Sequence, residues 1–142
     1  VPVNFLLATA LIAATVAIQA VFMEIGLRFI RRAEPGYLGR HATIATVVWI
    51  SYLLIPISLD IYLWALLYYL IGALPSLDDA IYFSTATFTT VGYGDVVLGK
   101  EWRQISVFEA VNGWIIFGWA TALIMAVIQR LYFRADGKAN DV

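Results

Sequence analysis

Cysteine is absent from the 142 residues, and histidine occurs once, at His41. A chain without thiols builds no disulfide framework and no thiolate metal site. Charge is scarce as well: 13% of residues are charged, the net charge is −1, and 62% are hydrophobic. Soluble domains are about 45–50% apolar and about 25% charged. This chain therefore has too few charges to cover a water-facing surface. A net charge close to zero also argues against a strongly basic nucleic-acid binder. With one histidine, no cysteine and no nucleophile–base pairing, nothing in the sequence points to an enzyme. The composition is that of an integral membrane protein, and the length suggests one domain.

Three apolar stretches are long enough to cross a bilayer, whose core takes about 20 apolar residues. The first runs over residues 3–30, with Glu24 and Arg28 its only charged residues. A cleaved signal peptide has a basic start, a shorter apolar core and a small-residue cleavage site, so this run reads as a transmembrane helix instead. A short polar linker with a Pro35-Gly36 turn signal follows. The second stretch covers 42–74. As one helix it would extend about 50 Å at 1.5 Å per residue, against a core of about 30 Å. Pro56 lies inside it, and proline kinks or breaks a helix. Two readings stand: one long kinked helix, or a span over 42–59 followed by a shorter helix over 61–74. The second would bring Asp60 to the outer interface and spare it mid-membrane burial; otherwise Asp60 is hydrogen-bonded. The third stretch is 102–133, and a small polar tail occupies 134–142.

The basic residues set the orientation. Arg28, Arg31, Arg32 and Arg40 surround the first linker, and Arg130, Arg134 and Lys138 follow the last apolar stretch. The positive-inside rule puts both clusters in the cytoplasm. Residues 75–101, with Asp78, Asp79, Asp95 and Glu101, then lie outside, as does the N-terminus. The arginines cluster at the end of the first helix rather than recurring through it, so no voltage sensor is indicated.

Segment 75–100 is too polar to cross the membrane alone. It contains Thr89-Thr90-Val91-Gly92-Tyr93-Gly94-Asp95. Irregular backbone at membrane depth is tolerated only where it lines a cavity. Gly92 and Gly94 reach positive φ without a Cβ clash, so the segment is suited to alternating ordinary and left-handed residues. The motif resembles the TVGYG selectivity filter of the potassium channel pore-domain family. The resemblance covers roughly residues 61–133, about half the chain, and small prokaryotic ion channels with an extra N-terminal transmembrane helix look similar.

That resemblance implies an all-α membrane fold: three transmembrane helices, a re-entrant pore helix and a filter loop, assembled as a tetrameric pore. It implies that backbone carbonyls of Thr90, Val91, Gly92 and Tyr93, with the Thr90 hydroxyl, replace the hydration shell of K+. Gly94 completes the filter. Tyr93 is expected to face away from the ions and brace the filter, and Asp95 to sit at the outer mouth. One such motif per chain implies a homotetramer, since the pore needs four loops. The partners are then other copies of the chain, the lipid bilayer and K+ as permeant ion, with no cofactor and no nucleic acid. The expected location is the cell membrane, as a multi-pass protein of the prokaryotic plasma membrane.

A pore helix is expected over 76–88. Ser76-Leu77-Asp78-Asp79 resembles a capping box with Asp in place of Glu, and the two acids suit the positive helix start. The chain departs from the family pattern at two places. Tyr82 and Phe83 stand where many relatives carry Trp-Trp. Ala86 stands where some carry a carboxylate, so Asp95 has no acidic partner there.

The inner helix carries further candidates. Glycine inside a helix costs about 1 kcal/mol relative to alanine, so Gly113 and Gly118 call for a reason. Gly113 is either a gating hinge or a close-packing position, and Gly118 reads as packing. Phe117, Thr121 and Met125 share a stripe at i, i+4 and i+8. They line the cavity, or form ordinary packing. Glu109 and Asn112 are polar residues within the membrane, which are functional candidates by default; for Glu109 a structural hydrogen-bonding role is favoured. Asp60 is the third such candidate.

Overall fold

A computed structural model describes residues 2–32 and 42–129. Most of the first linker, with Arg40 and His41, lies outside the described residues, as do the cluster Arg130, Arg134 and Lys138 and the tail. Four α-helices account for nearly all of the described chain: α1 (Pro2–Arg32), α2 (Ala42–Leu70), α3 (Leu77–Phe88) and α4 (Arg103–Ile128). Among the described residues there is no strand. Lipid cannot satisfy backbone polar groups, so a spanning segment must bond its own, as a helix does. The stretches Val3–Ile30, Ala42–Leu70 and Arg103–Ile128 are long and apolar enough to cross a membrane.

Of the two readings of 42–74, the structure has a single helix that continues through Pro56. It ends at Leu70, four residues earlier than the apolar run suggested. Gly72 takes a φ of 67°. The Gly72 N–H donates to the Tyr69 carbonyl at 3.1 Å and the Ala73 N–H to that of Tyr68 at 2.9 Å. This paired bonding is a Schellman motif with glycine at the left-handed position. The hydrophobic run continues, but the backbone has already turned.

The short helix α3 would extend only about 18 Å, too little to cross. Ser76 caps its start: the hydroxyl accepts from the Asp79 N–H at 3.0 Å and donates to Asp79 Oδ2 at 2.7 Å. α3 packs against both α2 and α4, and α1 lies against α2 and α4 on the other side of the bundle. One apolar core joins Trp64 and Tyr68 of α2, Phe83 and Phe88 of α3, and Ile105 and Ile116 of α4. A smaller one joins Ile30, Ala42, Trp49, Leu53 and Val127 at the opposite end. Asn4 Nδ2 donates to the Glu101 carbonyl at 2.7 Å. The first residues of α1 therefore share a side of the bundle with the loop that leads into α4.

Candidate functional site

The segment after α3 folds back on the helix it leaves. The Thr90 N–H bonds the Thr87 carbonyl at 2.9 Å, and those of Val91 and Gly92 bond the Ala86 carbonyl at 2.9 and 3.0 Å. Thr90, Gly92 and Gly94 have φ of 60°, 53° and 78°, alternating with residues of negative φ. Thr90 is the one non-glycine residue with positive φ among the described residues. Such a conformation costs of order 1–3 kcal/mol and persists only where the surroundings enforce it. The carbonyls of Thr90, Val91, Gly92 and Tyr93 accept no hydrogen bond among the described residues. Residues 90–95 are all exposed, Tyr93 to 72%.

Tyr82 holds the far end of this segment. Its ring stacks on that of Tyr93 with centroids 6.5 Å apart and planes within 13°. Its hydroxyl donates to Asp95 Oδ2 at 2.7 Å, while Asp95 Oδ1 accepts the Val96 N–H at 3.0 Å. The Tyr82 bond holds the Asp95 carboxyl below its ordinary value. No acid at position 86 is needed: a phenol four residues earlier, one turn away on α3, takes that place. The sequence marked Tyr82 only as a departure from Trp. Its pairing with Asp95 spans thirteen positions and depends on how the segment folds back.

Behind α3 lies a buried polar cluster. Glu109 is fully buried and accepts from Tyr68 Oη at 2.6 Å and from Ser84 Oγ at 2.5 Å. Ser84 is also 2.9 Å from the Ile61 carbonyl. The carboxyl group thus joins α2, α3 and α4. Asp60 is fully buried within the bundle. It accepts from Gln19 Nε2 of α1 at 2.7 Å, and this bond lets a carboxyl group sit inside the bundle. One turn earlier on α1, Thr15 Oγ1 accepts from Asn112 Nδ2 at 2.8 Å. Two polar side chains of α1 are therefore fastened to α2 and α4. Thr15 and Gln19 were not singled out in the sequence, although a polar residue within an apolar helix is a usable signal.

The α4 candidates separate. Gly113 is buried against the end of α3: a Cβ there would lie 1.9 Å from the Phe88 carbonyl oxygen. Only glycine permits this approach, which accounts for the residue without invoking a hinge. Gly118 has nothing within 4 Å of its missing Cβ. Its expected packing contact does not occur within the described chain, because the helix face it occupies is left open. Thr121 and Met125 are exposed on that side, and Phe117 is half-buried against Phe88 with ring centroids 6.0 Å apart. The Thr121 hydroxyl bonds the Phe117 carbonyl of its own helix at 2.8 Å. A shallow depression lined by Trp114, Ile115, Phe117, Gly118 and Thr121 occupies this face. Among the described residues, no group of acidic and histidine side chains is arranged to hold a metal.

Neither curated proteins nor solved structures gave a match to this chain. A family description, "Ion channel", does match, over residues 56–130. The matched region begins at Pro56 within α2 and contains α3, the folded-back segment and α4, with α1 outside it. On that match, which covers more than half of the chain, and with three helices fit to cross a membrane, this multi-pass membrane protein belongs to the ion channel family.

Proposed function

We propose that the chain is a potassium-selective channel that conducts K+ passively, with four copies surrounding one pore. The observation that carries this reading is the state of the 90–93 backbone. Its N–H groups at Val91 and Gly92 are tied back to Ala86, and its four carbonyl oxygens are unclaimed among the described residues. A dehydrating K+ requires rings of such oxygens. The positive φ at positions 90, 92 and 94 supplies the alternation that allows successive carbonyls to be presented to an ion. The exposure of every residue from 90 to 95 in a single chain supports a role for further copies, since four loops form the coordinating rings.

Residues beside this segment have distinct tasks in the proposed pore. Tyr82 braces Tyr93 and Asp95 from behind, and Asp95 places a negative charge at the mouth. α3 directs its C-terminal end, the negative end of the helix dipole, toward the side from which the segment departs. Phe117, Thr121 and Met125 line the space below, on the open face of α4. The protein lies in the cell membrane with α1 starting outside and the arginine-rich linker in the cytoplasm, following positive-inside. The ion is transported without catalysis or cofactor.

Flux from liposomes tests the proposal. Purified protein should pass K+ in preference to Na+, with block by barium, and Gly92→Ala should abolish the flux. Equal passage of Na+ and K+ would reduce the reading to an unselective cation channel. Absence of flux from correctly assembled protein would remove the conducting role.

A further inference from the structure

A lateral groove of about 300 Å³ lies between α1, α2 and the end of α4. Its walls are apolar: Ile25 and Phe29 of α1, Ala45, Val48 and Trp49 of α2, with Val127 of α4. Gly26 makes room for it. A Cβ there would lie 2.5 Å from Trp49 Cη2, so the indole can settle against α1 only because position 26 has no side chain. Ile25, Phe29 and Val48 are each more than half exposed, and all three fall within candidate membrane spans. The mouth of the groove therefore opens onto hydrocarbon rather than water.

Positive charge continues the same wall. Residues 25, 28, 29 and 32 fall at i, i+3, i+4 and i+7, one face of a helix. The apolar pair Ile25 and Phe29 is thus in line with Arg28 and Arg32. Arg28 is ion-paired with Glu24 one turn earlier. Arg32 is exposed and has no partner among the described residues. From the apolar slot and the exposed Arg32 guanidinium at its end, we infer a binding site for one anionic phospholipid of the leaflet on the Arg32 side. One acyl chain fills the groove, and the phosphate group sits at Arg32 with Arg28 beside it. Basic sites between transmembrane helices hold anionic head groups in this way. The groove is at the small end of the range of ligand pockets, about 300–1,000 Å³. A helix of a neighbouring copy, about 10 Å across, would lie over such a slot without entering it. All of the groove's lining except Val127 lies outside the matched channel region, and the site does not depend on which ion the pore selects.

The test reads retained lipid, not ion flux. The full chain is reconstituted in vesicles of equal phosphatidylcholine and phosphatidylglycerol, extracted in detergent, and its bound lipid is identified by native mass spectrometry. Phosphatidylglycerol should be retained preferentially, and Arg32→Gln should reduce that preference about fivefold, the effect of one juxtamembrane basic residue. Ala45→Phe, which fills the groove, should lose the retained lipid altogether, whereas Val107→Phe on another exposed face should not. Arg32→Gln alters an exposed side chain and remains informative if Ala45→Phe does not assemble. Equal retention of both lipids by the unaltered chain would overturn the inference, as would unchanged preference in Arg32→Gln. Efficient cross-linking between copies through Val48→Cys would show a second copy covering the groove and overturn it likewise.

Discussion

Gly113→Ala adds a single methyl group at the tightest approach in the bundle. The new Cβ would start 1.9 Å from the Phe88 carbonyl oxygen, and real Cβ atoms essentially never come within 3.0 Å of a neighbour. Either α4 or the end of α3 must therefore retreat by at least 1.1 Å. The obstructing atom is backbone, so no rotamer change relieves the clash. Overpacking of this kind costs about 1–3 kcal/mol, occasionally more. Alanine returns at most about 1 kcal/mol through helix propensity; against unyielding backbone the steric cost falls at the upper end of its range, about 3 kcal/mol, so the variant is destabilised by about 2 kcal/mol. Phe88 immediately precedes the Thr89–Asp95 segment, so the displacement is transmitted to the proposed filter. Thermal unfolding in detergent should show the stability loss, and K+ over Na+ selectivity in liposomes should fall with it. Gly118→Ala is the control: beyond its own helix turn, no atom of the described residues lies within 4 Å of its Cβ, and the variant should keep both properties. A Gly113→Ala protein with unchanged stability and selectivity but altered opening would refute the packing argument and restore the hinge.

Perturbations at three further sites have expected outcomes. Tyr82→Phe removes the donor to Asp95, and the preference of liposome flux for K+ over Na+ should fall; a preference indistinguishable from the parent would dismiss the brace. The folded-state pKa of Asp95 is depressed, so its contribution is present above the ordinary value of 3.8 and is lost as pH falls through the lower folded value. In Tyr82→Phe that acid loss should move to higher pH, measurable as the pH at which flux falls. Glu109→Ala leaves the Tyr68 hydroxyl without its acceptor, while Ser84 keeps the Ile61 carbonyl, and an unsatisfied buried group costs about 1–3 kcal/mol. Thermal unfolding should occur at lower temperature than in Glu109→Gln, which keeps one oxygen; the reverse order would contradict the assignment. Gln19→Leu should destabilise by about 1–2 kcal/mol, the scale of a hydrogen bond between membrane helices, and adding Asp60→Leu should recover much of it. A double-mutant cycle with no coupling would show that the contact contributes nothing.

Much of the fold was legible because lipid leaves little choice. A spanning chain must be helical and of a given length, so three apolar stretches specified three helices. Ser76 with Asp79 marked where α3 begins through chemistry confined to one turn. The glycines of Gly92-Tyr93-Gly94 were readable for a similar reason, since positive φ is a property of single residues. The same local logic did not resolve 42–74. Hydropathy is continuous there, while the chain turns on hydrogen bonds around Gly72 that involve only four residues.

Side-chain partners depended on helices meeting in space. Asp60 had no partner legible in the sequence, and Gln19, forty-one positions away, supplies one. Tyr82 was conspicuous only as a substitution in the resemblance, yet the folded-back segment brings Asp95 to its hydroxyl. Gly113 and Gly118 looked alike along α4. One faces the Phe88 carbonyl and the other open space, a difference set by where α3 ends. By itself, the sequence determined a membrane-spanning helical chain and the backbone chemistry of its 89–95 segment, because those follow from composition and from conformational preferences of neighbouring residues. The tertiary structure alone decided which buried polar groups find partners and which glycine is indispensable, because both depend on distances between helices far apart in sequence.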